Sequence, residues 1–460
     1  MAGPPRVVML AYHFPPLGGG GVQRNAAFAR ELPELGYELL VITGSGTASG
    51  RWTPADLGLL DEAGDSIDVW RVPEPRAPAQ TSWRRRLDAV LMLRTDFERD
   101  WTREVMALQP KLQERVDLIY ASLVPYELAE TAARLAAAVG KPWVADLQDA
   151  WALDEMWLYP TGLHRRRDLA RMTRVLRSAA AIVMNTPEAV SRLRAWLPEL
   201  ADKHVVVIPN GFDPALFEGP PPPRDDDGRT FRIVHAGYLH TELGTQIRRT
   251  ARLRRLLGGM AIPIDILTRS HVYLIEALER LRSKDPELHS RIEVQLAGVL
   301  SDTDRAVAQR SSSIVLRGYL SHRDSAALVR SADLLFLPMH KLPAGTRAGL
   351  VPGKTYEYLA SGRPILAAVP EGDARDLLAR ASNTFLTSPD DVSAMAAIIE
   401  ERVREWASGR QPEPPDVALI ADFRHAELTK SLAALFDQVL ARGTGRAGAA
   451  DLARRSASGA

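Results

Sequence analysis

Short apolar runs alternate with longer stretches of helical spacing along most of this chain, and the first expectation about its fold comes from that alternation. Arg6-Val-Val-Met-Leu-Ala-Tyr12 reads as a buried strand. A helix is expected from Val22 to Leu35, with Val22, Ala26, Ala29, Leu32 and Leu35 on one face and a stop near Gly36. Glu38-Leu-Leu-Val-Ile-Thr43 then reads as a second strand, which makes a βαβ unit. Further strands are expected at Val116–Ala121, Pro142–Asp146, Ala181–Met184 and His204–Pro209. Helical stretches lie between most of them. The clearest runs from Tyr126 to Val139 and ends at Gly140, with Pro142 just beyond. Continuous apolar strands alternating with helices indicate a parallel sheet covered on both faces.

Asn210-Gly211 signals a turn, and Gly219-Pro-Pro-Pro-Pro-Arg-Asp-Asp-Asp-Gly228 is a stiff, then charged stretch unsuited to a core. The strand pattern restarts at Phe231–Gly237 and recurs at Ile262–Leu267, Ile292–Ala297, Ile314–Leu316, Leu334–Leu337, Pro364–Ala367 and Thr384–Leu386. Helices are expected at Val392–Trp406 and Phe423–Leu440, with a proline-rich joint at Gln411–Pro415 between them. The fold class is therefore α/β with two doubly wound, Rossmann-like domains. Their expected limits are 1–215 and 231–412, with a linker at 216–230, a helical segment at 413–440 and a frayed tail at 441–460.

Two segments carry candidate chemistry. After the first strand, His13-Phe-Pro-Pro-Leu-Gly-Gly-Gly-Gly21 puts glycines at a helix mouth, where a backbone without Cβ atoms lets phosphate or sugar approach closely. A dinucleotide-binding dehydrogenase would prefer spaced glycines and an acidic residue closing the second strand, which here closes with Thr43-Gly44. In the second domain, Gly349-Leu-Val-Pro-Gly-Lys-Thr-Tyr-Glu357 reads as an anion-binding loop entering a short helix. Pro352 suits a helix start, so Leu350, Val351 and Gly353 could offer backbone donors to a phosphate, with Lys354 adding a full charge. Glu357, about one turn beyond Lys354, could accept from sugar hydroxyls. The plain alternative is a helix end with a surface Lys-Glu pair.

Composition narrows the function classes. A chain of 460 residues suits two cores of roughly 200 residues each, and a formal net charge of +1 argues against a dedicated nucleic-acid binder. Cysteine is absent, which excludes a disulfide framework, a thiolate nucleophile and cysteine metal sites and fits a reducing cytoplasm. No stretch reaches the roughly 18 apolar residues of a membrane span, and the N-terminus lacks a signal core. Any membrane contact is expected to be peripheral.

The order of these islands resembles that in the family-4 glycosyltransferases of GT-B architecture. The residues that carry the resemblance are His13-Phe-Pro-Pro-Leu-Gly-Gly-Gly-Gly-Val-Gln-Arg24, Pro142-Trp-Val-Ala-Asp-Leu-Gln-Asp-Ala-Trp151, Ile208-Pro-Asn-Gly-Phe-Asp213, Arg317-Gly-Tyr-Leu-Ser-His322 and Pro352-Gly-Lys-Thr-Tyr-Glu-Tyr-Leu359. It implies two domains facing across a cleft and a retaining transfer of a sugar from a nucleotide-diphosphate donor, the co-substrate, with no further cofactor. It places the acceptor, a sugar, a lipid-linked or a small molecule, mainly on the N-terminal domain. Carried over, Glu357 would hold the ribose hydroxyls, Lys354 and the amides around Leu350 and Val351 the diphosphate, and Gly20 and Gly21 would approach the donor from across the cleft. Three positions depart from the family pattern. Gly349 stands where a glutamate is common, and Gln148 where similar sequences often read arginine. No arginine follows Gly237; Arg269 is the better counterpart, with Tyr238–Ile266 as a basic insertion.

Asp146 and Asp149 close a strand at the edge where such sheets bind ligands, and they are candidates for acceptor hydroxyls beside His13. The alternatives are a helix cap and an ion pair with a basic neighbour. No second ligand stands at metal spacing from His13, and the other histidines receive no role. The arginines of Arg84–Arg86 and of His164–Arg177 could rest on anionic lipid or form a solvated helix face. A sugar-nucleotide epimerase of the same fold and a degenerate binding module are the rival functions. The nucleotide base, the sugar and the acceptor are not written in these residues.

Overall fold

In a computed structural model of the chain, which describes residues 3–47, 54–59, 67–73, 96–224, 228–410 and 417–457, the apolar runs assemble into two separate sheets. The first contains β1 (Arg6–Ala11), β2 (Glu38–Thr43), β3 (Asp68–Arg71), β4 (Leu118–Ser122), β5 (Trp143–Leu147), β6 (Ala181–Met184) and β7 (Val205–Val207), in the order β3-β2-β1-β4-β5-β6-β7. The second contains β8 (Phe231–Ala236), β9 (Ile292–Ala297), β10 (Ile314–Gly318), β11 (Leu334–Pro338), β12 (Ile365–Ala368) and β13 (Thr384–Thr387), in the order β10-β9-β8-β11-β12-β13. All these strand pairs are parallel; Met9, for example, lies beside Val41 on one side and Tyr120 on the other. Chain order reverses between β1 and β4 and between β8 and β11. At such switch points the crevice outside the strands' carboxyl ends is open to ligands. This is the GT-B arrangement of two doubly wound domains.

Both faces of each sheet are covered, which is why the strands read as continuous apolar runs. Along β1, Val8 and Leu10 join a core with Ile119, Leu135 and Met172, whereas Val7, Met9 and Ala11 join another with Phe28, Tyr120 and Val144. That period of two is the pleat of the strand. The helices that frame the site are α1 (Gly20–Glu31), α2 (Leu128–Val139), α3 (Gly162–Leu176), α4 (Pro187–Trp196), α5 (Thr241–Leu256), α6 (His322–Arg330), α7 (Lys354–Ala360) and α8 (His425–Ala457). The last helix returns to the first domain, where Leu428, Leu432, Phe436 and Val439 pack against the α1 side of its sheet. Burying each such side chain contributes about 1.5–3 kcal/mol. Tyr37 donates to Asp437 at 2.6 Å and Thr429 to Glu31 at 2.6 Å, which fixes the register of that return.

Three elements differ from the sequence expectation. Ile262–Leu267 is not a strand: Asp265 accepts from the Leu267 amide at 3.2 Å and from Arg248 at 2.9 Å, and this folds Ile266–Thr268 into a single 3-10 turn. β3 was not expected, because Asp-Val-Trp-Arg on a sheet edge has no fully buried position and so no apolar run. Helix α8 continues to Ala457 instead of ending at Leu440. The Gln411–Pro415 joint lies outside the described residues, as does Arg84–Arg86. Among the described residues no helix is long and apolar enough to cross a membrane.

Candidate functional site

The loops that leave β1 and β8 meet across a cavity of about 480 Å³. Its first-domain wall holds Gly19, Gly20, Gly21, Gln148, Asp149 and Asp154; its second-domain wall holds Gly237, Arg269, Leu350, Val351, Lys354 and Glu357. Helix α1 begins in this wall without a side-chain cap, and its first bonds run from Val22 and Gln23 to the Gly19 carbonyl. The Gly20 and Gly21 amides therefore lie at the positive end of the helix, outside its bonding pattern. A Cβ on Gly21 would come within 2.5 Å of the Gln148 carboxamide, which is itself tied to Ser122 at 2.6 Å and Asn25 at 3.1 Å. Gln148 thus shapes the glycine loop from below.

On the opposite wall, Lys354 Nζ lies 3.2 Å from Nε2 of His235. The other ring nitrogen of His235 is 2.9 Å from the Phe336 carbonyl and donates to it, so Nε2 is an acceptor for the lysine. Burial and the nearby Lys354 charge push His235 well below the ordinary histidine range, which keeps the ring neutral. Gly237 makes room for this lysine: its φ is +116°, and a Cβ there would lie 2.6 Å from Nζ. Burial, and then the neighbouring Arg269, push Lys354 down to about 7. Two cations facing one space repel each other until an anion enters between them. Arg269 reaches that space because residues 241–268 leave and rejoin the domain at one point, closed by His240 N to Arg269 O at 3.0 Å. Its guanidinium reaches back across the cleft to Met156 Sδ at 2.9 Å.

Glu357 lies one turn along α7 from Lys354 and accepts from Nε2 of His322 at 2.9 Å. The bonding of α7 starts with Thr355 N to Pro352 O at 2.9 Å, so the amides of Leu350, Val351 and Gly353 precede it. On the first-domain wall, Asp149 and Asp154 face Arg269. Burial, followed by the Glu155 and Asp149 charges, pushes Asp154 up to about 8, and burial also raises Asp149. Both are driven toward the neutral acid, a form that can donate as well as accept.

Two expected site residues are not in the cavity wall. Asp146 is fully buried and holds Arg24 at 3.0 Å together with the Tyr120 hydroxyl. It sits within β5, so the pleat turns it toward α1 and the ion-pair alternative applies. His13 is half-buried behind the loop, its ring edge-on to Tyr12 at 5.0 Å and its carbonyl accepting from Asn25. The remaining candidates, Gly20, Gly21, Asp149, Arg269, Leu350, Val351, Lys354 and Glu357, are brought together.

The sequence reading missed the residues that hold these groups in place. His235, His322 and His340 each meet a key charge, although the histidines looked scattered. Two signals were available: His235 stands with Arg232 inside the otherwise apolar strand Phe231–Ala236, and His322 closes the Arg317–His322 island. Glu155 was missed entirely. Its carboxylate accepts from Arg192, from His340 at 3.1 Å and from the Gly349 amide at 3.1 Å. Burial raises its pKa, but His340 and Arg192 outweigh that and hold it well below the usual carboxylate range. A Cβ on Gly349 would lie 3.2 Å from the Arg192 guanidinium. A glutamate at 349, common in the family resembled, would therefore press on Arg192, which occupies that side of the loop.

Among the described residues no group of three or more His, Asp and Glu side chains could hold a metal ion. Residues 19–211 match the model of the Glycosyl transferase 4-like domain, and residues 266–405 match that of Glycosyl transferases group 1. No curated protein matches the sequence. Among solved structures, the chain is similar to Anabaena HepE in complex with UDP and glucose, at 15% identity and a TM-score of 0.58 over 94% of this chain and 99% of that one. It is similar to sucrose-phosphate synthase from Thermosynechococcus elongatus at 14% identity and a TM-score of 0.61, over 95% and 100%. An alpha,alpha-trehalose 6-phosphate synthase from Burkholderia multivorans aligns at 14% identity and 0.57, over 97% and 98%. At these identities the likeness concerns the fold.

Proposed function

The chain is a glycosyltransferase of GT-B fold, and we propose that it transfers the sugar of a nucleotide-diphosphate donor to an acceptor hydroxyl with retention of configuration and without a divalent metal. The observation that carries this reading is the convergence of Lys354 and Arg269 on one space opposite the uncapped start of α1, with Glu357 one turn beyond. A diphosphate fits between those cations and amides, and a ribose fits against Glu357. UDP and glucose are bound by the Anabaena relative, which supports a donor of this class. Matches of both halves to glycosyltransferase models favour transfer over an epimerase or a binding module.

When the bond from sugar to phosphate breaks, negative charge builds on the leaving diphosphate. Fixed cations and helix-end amides stabilise that charge more in the transition state than in the ground state, which lowers the barrier. Lys354 and Arg269 fill the role a divalent ion would otherwise have. Asp149 and Asp154, kept toward the neutral acid by burial, suit hydrogen bonds to an acceptor hydroxyl better than nucleophilic attack. The acceptor oxygen then bonds to the anomeric carbon from the leaving-group face, and the departing phosphate oxygen takes its proton. Product from a defined α-linked donor is expected to be α-linked when first formed, and chelator is expected to leave the rate unchanged. NMR of the nascent product decides between mechanisms: a β-linked product overturns this one.

Glu357→Gln is expected to weaken donor binding by about 1.5–3 kcal/mol, since a hydrogen bond to a charged group is lost. Calorimetric titration of the nucleoside diphosphate measures it. An unchanged affinity would remove Glu357 from the donor site.

A further inference from the structure

Leu163, Leu253, Leu256 and Leu257 are 75%, 59%, 83% and 46% exposed, and they are neighbours although they come from both domains. The Gly162 amide donates to the Leu257 carbonyl at 2.7 Å, Tyr159 N to Gly259 O at 2.9 Å, and Arg254 to Tyr159 O at 3.2 Å. These bonds pin the start of α3 against the end of α5. On α5, Leu253 and Leu256 share a face with Arg249 and Arg252 at helical spacing, while Arg255 and Arg166 are exposed beside them.

Positive charge dominates this surface, although Arg248 is paired with Asp265 at 2.5 Å. Residues 241–260 contain five arginines and one carboxylate, Glu242. Residues 156–177 contain six arginines and one carboxylate, Asp168, which accepts from Trp151 and Tyr159. Several arginines of α3, left open from sequence as either a lipid-facing row or a solvated face, are used within the fold. Arg171 and Arg174 meet Glu130 at 3.1 and 3.3 Å, and Arg165 stacks on Trp196 at 4.8 Å. The cationic surface is thus displaced to the first turn of α3 and the far half of α5.

A single exposed leucine needs no explanation, whereas four together within a field of arginines mark an interaction surface. Nucleic acid would use the arginines and leave the leucines in water. A bilayer uses both, with leucines entering the acyl boundary and guanidinium groups meeting anionic headgroups. The patch also adjoins the cavity along the chain: Asp154 and Met156 line the cavity, and Leu163 stands in the patch. We propose that this leucine and arginine patch, where α3 meets α5, seats the protein on an anionic lipid bilayer.

Sedimentation of the full chain with vesicles tests this without reference to turnover. Binding is expected to vesicles of phosphatidylcholine mixed with phosphatidylglycerol, to weaken with salt, and to be much lower with phosphatidylcholine alone. Leu253→Ser combined with Leu256→Ser is expected to lower partitioning on the order of tenfold or more. Arg252→Ser combined with Arg255→Ser is expected to lower it several-fold and to flatten the salt dependence. Both variants should keep the parent's thermal stability and its stabilisation by nucleoside diphosphate; if the leucine pair fails that control, Leu256→Asp alone at the most exposed position replaces it. Parent-like partitioning of the leucine variant, or equal binding to both vesicle types, overturns the proposal. So does tight binding of RNA that the leucine variant retains in full while the chain ignores vesicles.

Discussion

Replacing Lys354 with alanine is expected to reduce turnover by a factor of about 10² or more while the fold persists. The loss follows from the position of its ammonium, against neutral His235 and facing the same space as Arg269, where charge develops as the donor bond breaks. The same geometry sets a pH dependence. In the empty cavity burial and Arg269 push Lys354 down to about 7, and an entering diphosphate pulls it back up. Between those two values the complex binds one more proton than the free protein, so affinity falls as pH rises. The slope approaches about tenfold per pH unit above 7. Lys354→Arg keeps its charge throughout that range and should flatten the profile. Titrations of nucleoside diphosphate across this range check both points, and a flat profile for the parent would mean that Lys354 does not meet the phosphates.

Glu155→Ala is expected to be the most destabilising single change near the cleft, at about 3–5 kcal/mol, because it takes one of two carboxylates from the buried Arg192 guanidinium, leaving it Glu188 at 3.2 Å, and deprives His340 and the Gly349 amide of their acceptor. Arg192 is 5% and Glu155 3% exposed, so water cannot take over those bonds. Denaturant unfolding measures the loss. Adding Arg192→Met to Glu155→Ala removes the guanidinium that has lost this partner and should recover part of the loss, a coupling that a double-mutant cycle reads directly. A cost of less than about 1 kcal/mol for Glu155→Ala would show that the network contributes little.

What could be read in the chain beforehand follows from distance along it. β2 and β6 fall on their expected residues because a strand buried on both faces is written in consecutive apolar positions, and β9 does so although Glu293 and Gln295 interrupt its run. The glycine loop and the Lys354–Glu357 turn were legible for the same reason. Arg269 stands beyond the insertion in sequence yet shares the cavity wall with Lys354, because the bond from His240 to Arg269 brings the chain back to one point. The partners of these residues are another matter. Lys354 meets a histidine 119 positions away, Gly349 a glutamate 194 away, and no local pattern connects either pair. Asp146 failed for a subtler reason. It and Asp149 both stand at the strand's end in sequence, and only the pleat decides that the first turns inward to Arg24.

The return of α8 to the first domain has a consequence for the order of synthesis. Val7, Met9, Tyr120 and Val144 line one side of the first sheet, and beside Phe28 of α1 and the Leu32 that follows it the side chains that complete its cover, Leu428, Leu432 and Phe436, belong to a segment made after both sheets are complete. Most domains of a growing chain close as units in the order they emerge. Here the domain that leaves the ribosome first is the last to be finished, and the second domain folds while an apolar face of its neighbour still waits in water for the end of the chain.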